Sequence, residues 1–172
     1  TALFNPDGSL NIINSNGRQE VFAANVFVQF IDDPWAITAE YSPINSEFYH
    51  LNTLSDYVRN DGLAYYLQVE YHFTPKHEAL LRYDVNLSDK SDPDGKQFEH
   101  SLIGEVMHFP AFSQYAKDST LGYAYRPNAD WLFRLEFHNV EGTTWLSFRE
   151  NADPAKLAKY WNMALAQLSY RF

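Results

Sequence analysis

The chain has 172 residues and 20.0 kDa, the size of one ordinary domain, and 12 Tyr and 13 Phe against 2 Met make its hydrophobicity unusually aromatic. Thirteen basic against 22 acidic residues give a formal charge of −9, which excludes the basic face that nucleic acid requires. The absence of Cys removes thiol catalysis, thiolate metal sites and disulfides, and charge interrupts every stretch long enough for a transmembrane helix, but a strand that exposes every second residue to lipid escapes that test, so a mean hydropathy of −0.42 does not exclude a membrane barrel.

The chain opens on Thr1 without a basic or apolar leader, as a mature chain or an excised fragment does. Residues 1–19 read as an N-terminal loop or partial strand, because Leu10 to Asn14 is too short and too polar to span. Residues 20–32 place Phe22, Ala24, Val26, Val28 and Phe30 on one parity and Asn25 and Gln29 on the other, the pattern of a strand with one apolar face. After a turn at 32–34, Trp35, Ile37, Ala39 and Tyr41 alternate with Thr38 and Glu40. Leu63, Tyr65, Leu67, Val69, Tyr71 and Phe73 then alternate with Ala64, Tyr66, Gln68, Glu70 and His72. Beyond a turn at 74–77, Ala79, Leu81, Tyr83, Val85 and Leu87 alternate with Leu80, Arg82, Asp84 and Asn86.

Residues 120–126 continue the rhythm with Leu121, Tyr123 and Tyr125. A turn at 126–130 leads to Trp131, Phe133, Leu135 and Phe137, alternating with Arg134, Glu136 and His138. The last strand, 161–172, sets Ala164, Ala166, Leu168, Tyr170 and Phe172 against Gln167, Ser169 and Arg171. Seven strands are thus predicted, joined alternately by short turns and by long polar segments at 42–62, 88–119 and 141–160. A short helix is expected over 153–160, with Pro154 near its first position.

That alternation of connections is the asymmetry of an outer-membrane barrel. Aromatics cluster beside the short turns: Phe30, Trp35, Tyr71, Phe73, Tyr125, Trp131, Tyr170 and Phe172 are the expected membrane-interface residues. The competing fold is a soluble sandwich with an aromatic core, which suits the polar faces less well because they carry small and oppositely charged residues.

The terminal Leu168-Ser169-Tyr170-Arg171-Phe172 resembles the last strand of bacterial outer-membrane β-barrels, and from about residue 20 onward the rhythm looks most like the C-terminal half of a porin. The stretch 131–146 is similar to a penultimate strand in porin-like proteins distantly related to phosphate-selective porins. The resemblance implies an all-β, antiparallel, meandering transmembrane barrel of about seven or eight strands in this chain. It is expected as a single domain over 1–172, or as the C-terminal segment of a larger barrel with its strands in 20–172. It further implies the bacterial outer membrane, a lipid bilayer and lipopolysaccharide as surroundings, and recognition of the C-terminal strand by the insertion machinery. Remaining N-terminal barrel strands, or further copies of the chain, are the expected partners.

On that expectation Glu40, Glu70, His72, Arg82, Asp84, Arg126, Arg134, Glu136, His138 and Arg171 face the interior as pore-lining candidates, with ion pairs such as Arg82 with Glu70 between neighbouring strands. Whether that interior is open or plugged is not legible. The expected function is passive diffusion of small hydrophilic solutes, not catalysis. The alternatives are a closed eight-stranded barrel with a structural, adhesion or scaffold role, and an outer-membrane hydrolase. For a hydrolase only His72 and His138 lie at mid-strand interior positions, without a readable Ser or Asp partner. No metal site or cofactor is expected: Asp89, Asp92 and Asp94 only loosely resemble a calcium loop and are better read as a solvated turn.

Overall fold

The computed structural model describes residues 18–50, 57–146, 151, 153 and 156–172. It is all-β apart from short helices, and its eight strands form one antiparallel sheet. They are β1 (Arg18–Ala23), β2 (Val26–Asp32), β3 (Trp35–Tyr49), β4 (Tyr57–Thr74), β5 (His77–Leu87), β6 (Tyr115–Tyr125), β7 (Trp131–Gly142) and β8 (Tyr160–Tyr170). The first two are a single strand line, since both pair with β3 in one register, from Arg18↔Tyr49 to Asp32↔Trp35. Pro43 explains the interruption between them. Its carbonyl accepts from the Ala24 N–H at 3.2 Å, but it has no N–H to return. The sheet is therefore seven strand lines wide, and its order follows the chain as the alternation implied.

Several boundaries differ from those expected. Residues 42–62, expected as a loop, are largely the extended β3–β4 hairpin, because the backbone ladder continues after apolar alternation has given way to Asn45, Glu47, Arg59 and Asp61. The first described strand includes Arg18 and Gln19, in the segment expected as an N-terminal loop or partial strand. Residues 10–14 lie outside the described residues, as does part of the helix expected over 153–160. Of its described residues Lys156 is in a 3-10 turn, 157–159 are not helical, and Tyr160 already belongs to β8.

Between β5 and β6 the chain folds into α1 (Lys96–Glu99), α2 (Leu102–Met107) and a 3-10 helix (Ala111–Gln114). Its acids serve these turns. The Asp92 carboxylate accepts from the Gln97 and Phe98 N–H groups at 3.1 and 2.8 Å, and Asp89 accepts from the Ser91 N–H at 2.8 Å. Ser101 caps α2 by accepting from the Gly104 N–H at 3.1 Å.

A flat single-layered sheet exposes both faces alike, and this one does not. Over β5 to β7, Leu80, Ala116, Asp118, Thr120, Ala124, His138 and Val140 are buried on one face, while Leu81, Leu121 and Leu135 on the other are 60%, 57% and 60% exposed. The sheet thus curls around its polar face. Gly122 permits the crowding there, because a Cβ at this position would stand 2.9 Å from a Leu80 methyl carbon. The sheet is not closed into a barrel: its order ends at β1 on one side and β8 on the other, with β2 paired to β3 alone, and among the described residues these outer edges have no strand partner.

Candidate functional site

Register sorts the two parities through the central strands, apart from an irregularity between His72 and Thr74 beside the β4–β5 turn. Through Val28↔Ala39, Ala39↔Leu67, Leu67↔Tyr83, Leu81↔Leu121, Leu121↔Phe137 and Phe137↔Ala164, one continuous apolar face runs from β2 to β8. Phe30, Trp35, Tyr71, Phe73, Tyr125, Trp131, Tyr170 and Phe172, the expected interface aromatics, all lie on this parity. Ring contacts join most of them: Trp35–Tyr71 at 4.6 Å, Tyr71–Phe73 at 4.9 Å, Tyr125–Phe133 at 6.2 Å, Trp131–Phe133 at 6.0 Å and Trp131–Tyr170 at 4.6 Å.

The sequence reading missed a second border. Tyr41, Tyr65, Tyr83 and Phe137 each stand six residues along their strands from Trp35, Tyr71, His77 and Trp131, respectively, and all four are exposed. Six residues of strand cover roughly 20 Å. The borders are inclined to the strands. Through Trp35↔Tyr71, Tyr71↔Ala79, Ala79↔Tyr123 and Tyr123↔Leu135, the β7 residue level with Trp35 is Leu135, whereas β7 opens at Trp131. That offset of roughly 14 Å across about 19 Å of sheet corresponds to an incline of about 35°.

The opposite face carries Glu40, Glu70, His72, Arg82, Asp84, Arg134, Glu136 and His138 on one parity, with Arg171 continuing it past the end of β8. Their pairing differs from expectation. Gln68, not Glu70, stands opposite Arg82, and the Arg82 guanidinium binds Asp84 of its own strand, Nε to Oδ2, at 2.7 Å. Glu70 accepts from Gln68 Nε2 at 2.7 Å.

Two clusters form around acids not singled out in the sequence. Glu78 is buried and pairs with Arg126 at 2.7 Å, His72 at 3.5 Å and Arg134 at 3.8 Å, beside a cavity of about 800 Å³ at the short-turn end. Asp118 is fully buried, with its Oδ2 2.6 Å from His138 Nδ1 and 3.0 Å from Thr120 Oγ1. Glu78 was overlooked because β5 begins at His77, and Asp118 because β6 begins at Tyr115, before the apolar alternation becomes visible. Continuing each strand's parity backward past its first apolar residue finds both.

The Asp118–His138–Thr120 group does not have the layout of a nucleophilic relay. Such a relay places the acid on one imidazole nitrogen and the hydroxyl on the other, whereas Thr120 Oγ1 is 3.0 Å from Nδ1, the nitrogen that also faces Asp118. His138 Nε2 is buried without a hydrogen-bond partner, with Glu136 Oε2 3.5 Å away.

At the loop end, Glu141 Oε1 meets Lys159 Nζ at 3.2 Å and accepts from the Tyr115 hydroxyl at 3.1 Å. Burial pushes the Glu141 carboxyl up, but the bonds from Lys159 and Tyr115 outweigh it and hold the pKa below the ordinary 4.5. Hydrogen bonds to Tyr160 and Glu141 hold the Lys159 ammonium well above its ordinary range. This contact joins the entrance of β6 to the ends of β7 and β8.

Comparison with known proteins yields no matching family model, no matching curated protein and no matching solved structure.

Proposed function

We propose that this sheet is part of the wall of a bacterial outer-membrane porin-like barrel through which small hydrophilic solutes diffuse, its apolar face toward lipid and its polar face toward water. The carrying observation is the exposed apolar face that crosses every strand line between two aromatic borders. A contiguous face of this kind is foreign to a monomer in water and suits a bilayer with Tyr and Trp at its boundaries. The incline of about 35° falls at the strand tilt that barrel closure requires. The edges of β1, β2 and β8, unpaired among the described residues, call for further strands, of the same polypeptide or another, because open edges are not tolerated in hydrocarbon. Lipopolysaccharide outside and the insertion machinery at the Phe172 end complete the proposed partners.

The packed polar face of β5 to β7 favours a second reading, a closed barrel with a structural, adhesion or scaffold role. Conductance of the natural full-length protein in planar bilayers separates the two. Ohmic steps support the channel, whereas silence from a protein that is folded and inserted supports the closed barrel.

A further inference from the structure

We propose that the small cavity beneath Trp145 binds the ammonium head group of an organic cation. The site goes beyond the channel reading, since its occupancy requires no conduction.

The strand β7 ends at Gly142, whose φ of 94° suits glycine alone and whose N–H donates to the Lys159 carbonyl at 2.7 Å. A Cβ there would fall on the Tyr115 carbonyl oxygen. The next residues leave the sheet but are pinned to it: the Thr143 N–H donates to the Phe112 carbonyl at 2.9 Å, the Thr144 N–H to the Tyr115 carbonyl at 3.3 Å, and the Thr144 and Ser88 hydroxyls lie 3.2 Å apart. This anchored turn carries Trp145 across to the polar face of β3 to β5. There it lines a cavity of about 120 Å³ with Glu40, Ser42, Tyr66, Asp84 and Asn86.

The charges on the wall set the sign of the ligand. Asp84 is matched by Arg82. Glu40 accepts from Asn25 Nδ2 at 2.5 Å, from Ser42 Oγ at 3.3 Å and from the Tyr66 hydroxyl, all neutral donors, and among the described residues it pairs with no cation. The wall therefore keeps one carboxylate charge in excess, which repels anions. Trp145, 38% exposed, and Tyr66 add aromatic surface to the lining, and aromatic rings attract a desolvated cation. A bare metal ion would need several oxygen or nitrogen ligands, and among the described residues no group of three His, Asp or Glu is arranged to hold one. The volume lies well below the several hundred Å³ of a site enclosing a whole drug-sized ligand, so it admits only a head group.

The test titrates tetramethylammonium chloride, at ionic strength held constant with sodium chloride, into the natural full-length protein folded in detergent micelles, following ligand proton signals by saturation transfer. Saturable binding is expected, with a Kd on the order of a millimolar. Trp145→Ala and Glu40→Gln should each weaken it roughly three- to tenfold, and Trp145→Phe much less. Glucose, uncharged, should not saturate. Binding that Trp145→Ala leaves unchanged, or glucose binding without tetramethylammonium binding, overturns the proposal. Should Glu40→Gln fail to fold, as circular dichroism would reveal, the loop substitution Trp145→Ala decides alone. Because the readout is binding in micelles, a protein silent in planar bilayers can still pass or fail.

Discussion

Leu135 offers the sharpest test of what covers the apolar face. It stands on β7 between Trp131 of one aromatic border and Phe137 of the other, paired with Tyr123 and Ala166, and is 60% exposed. If water covered this face, Leu135→Arg would be an ordinary surface substitution, changing stability by about 0.5 kcal/mol at most. If lipid covers it, a guanidinium near the bilayer midplane costs about 2–4 kcal/mol, falling to about 0–1 kcal/mol toward the interfaces. Ser119, exposed on the same face of β6 but level with Tyr83 of the second border, supplies the depth control. The assay is reversible guanidinium unfolding in phospholipid vesicles, with midpoints compared at unchanged slope. The expected outcome is a loss of about 3 kcal/mol for Leu135→Arg and a clearly smaller loss for Ser119→Arg. A Leu135→Arg protein within about 0.5 kcal/mol of the parent, or equal losses at both depths, would refute the lipid-facing assignment.

The buried acid predicts a second outcome. His138→Ala should cost about 3 kcal/mol, because it strands the fully buried Asp118 carboxylate, whereas adding Asp118→Ala should recover part of that loss in a double-mutant cycle; strict additivity would show that the pair is not coupled. The loop-end contact predicts a pH dependence. The folded pKa of Glu141 lies below the ordinary 4.5, so its contribution is present above that ordinary value and is lost as pH falls through the lowered folded value. The stability gap between the parent and Glu141→Gln should therefore be constant from neutral pH down to about 5 and close in more acid solution. A gap that persists unchanged to the acid limit would refute the role given to Lys159 and Tyr115.

The seven strand lines, the parity of each side chain along its strand and the row of aromatics beside the short turns were legible in the sequence, whereas the break between β1 and β2 was not. Side-chain direction alternates with a period of two, so parity can be read from any run of a few residues such as Leu63 to Phe73. Strand length was less legible, because the ladder of β3 and β4 continues through Asn45 and Asp61, where alternation no longer marks it. Which side chains meet depends on how the strands pair. Register, a long-range property of the pairing, put Asp118 beside His138 and Arg126 beside Glu78, and set Gln68 opposite Arg82. It also set the common incline of the two aromatic borders, whose six-residue separation along each strand is already present in the sequence. The path of the chain after Gly142, which brings Trp145 to the same cavity as Glu40, was beyond sequence reasoning, because it depends on carbonyl groups of Phe112 and Tyr115 that become neighbours only when β5, β6 and β7 pair.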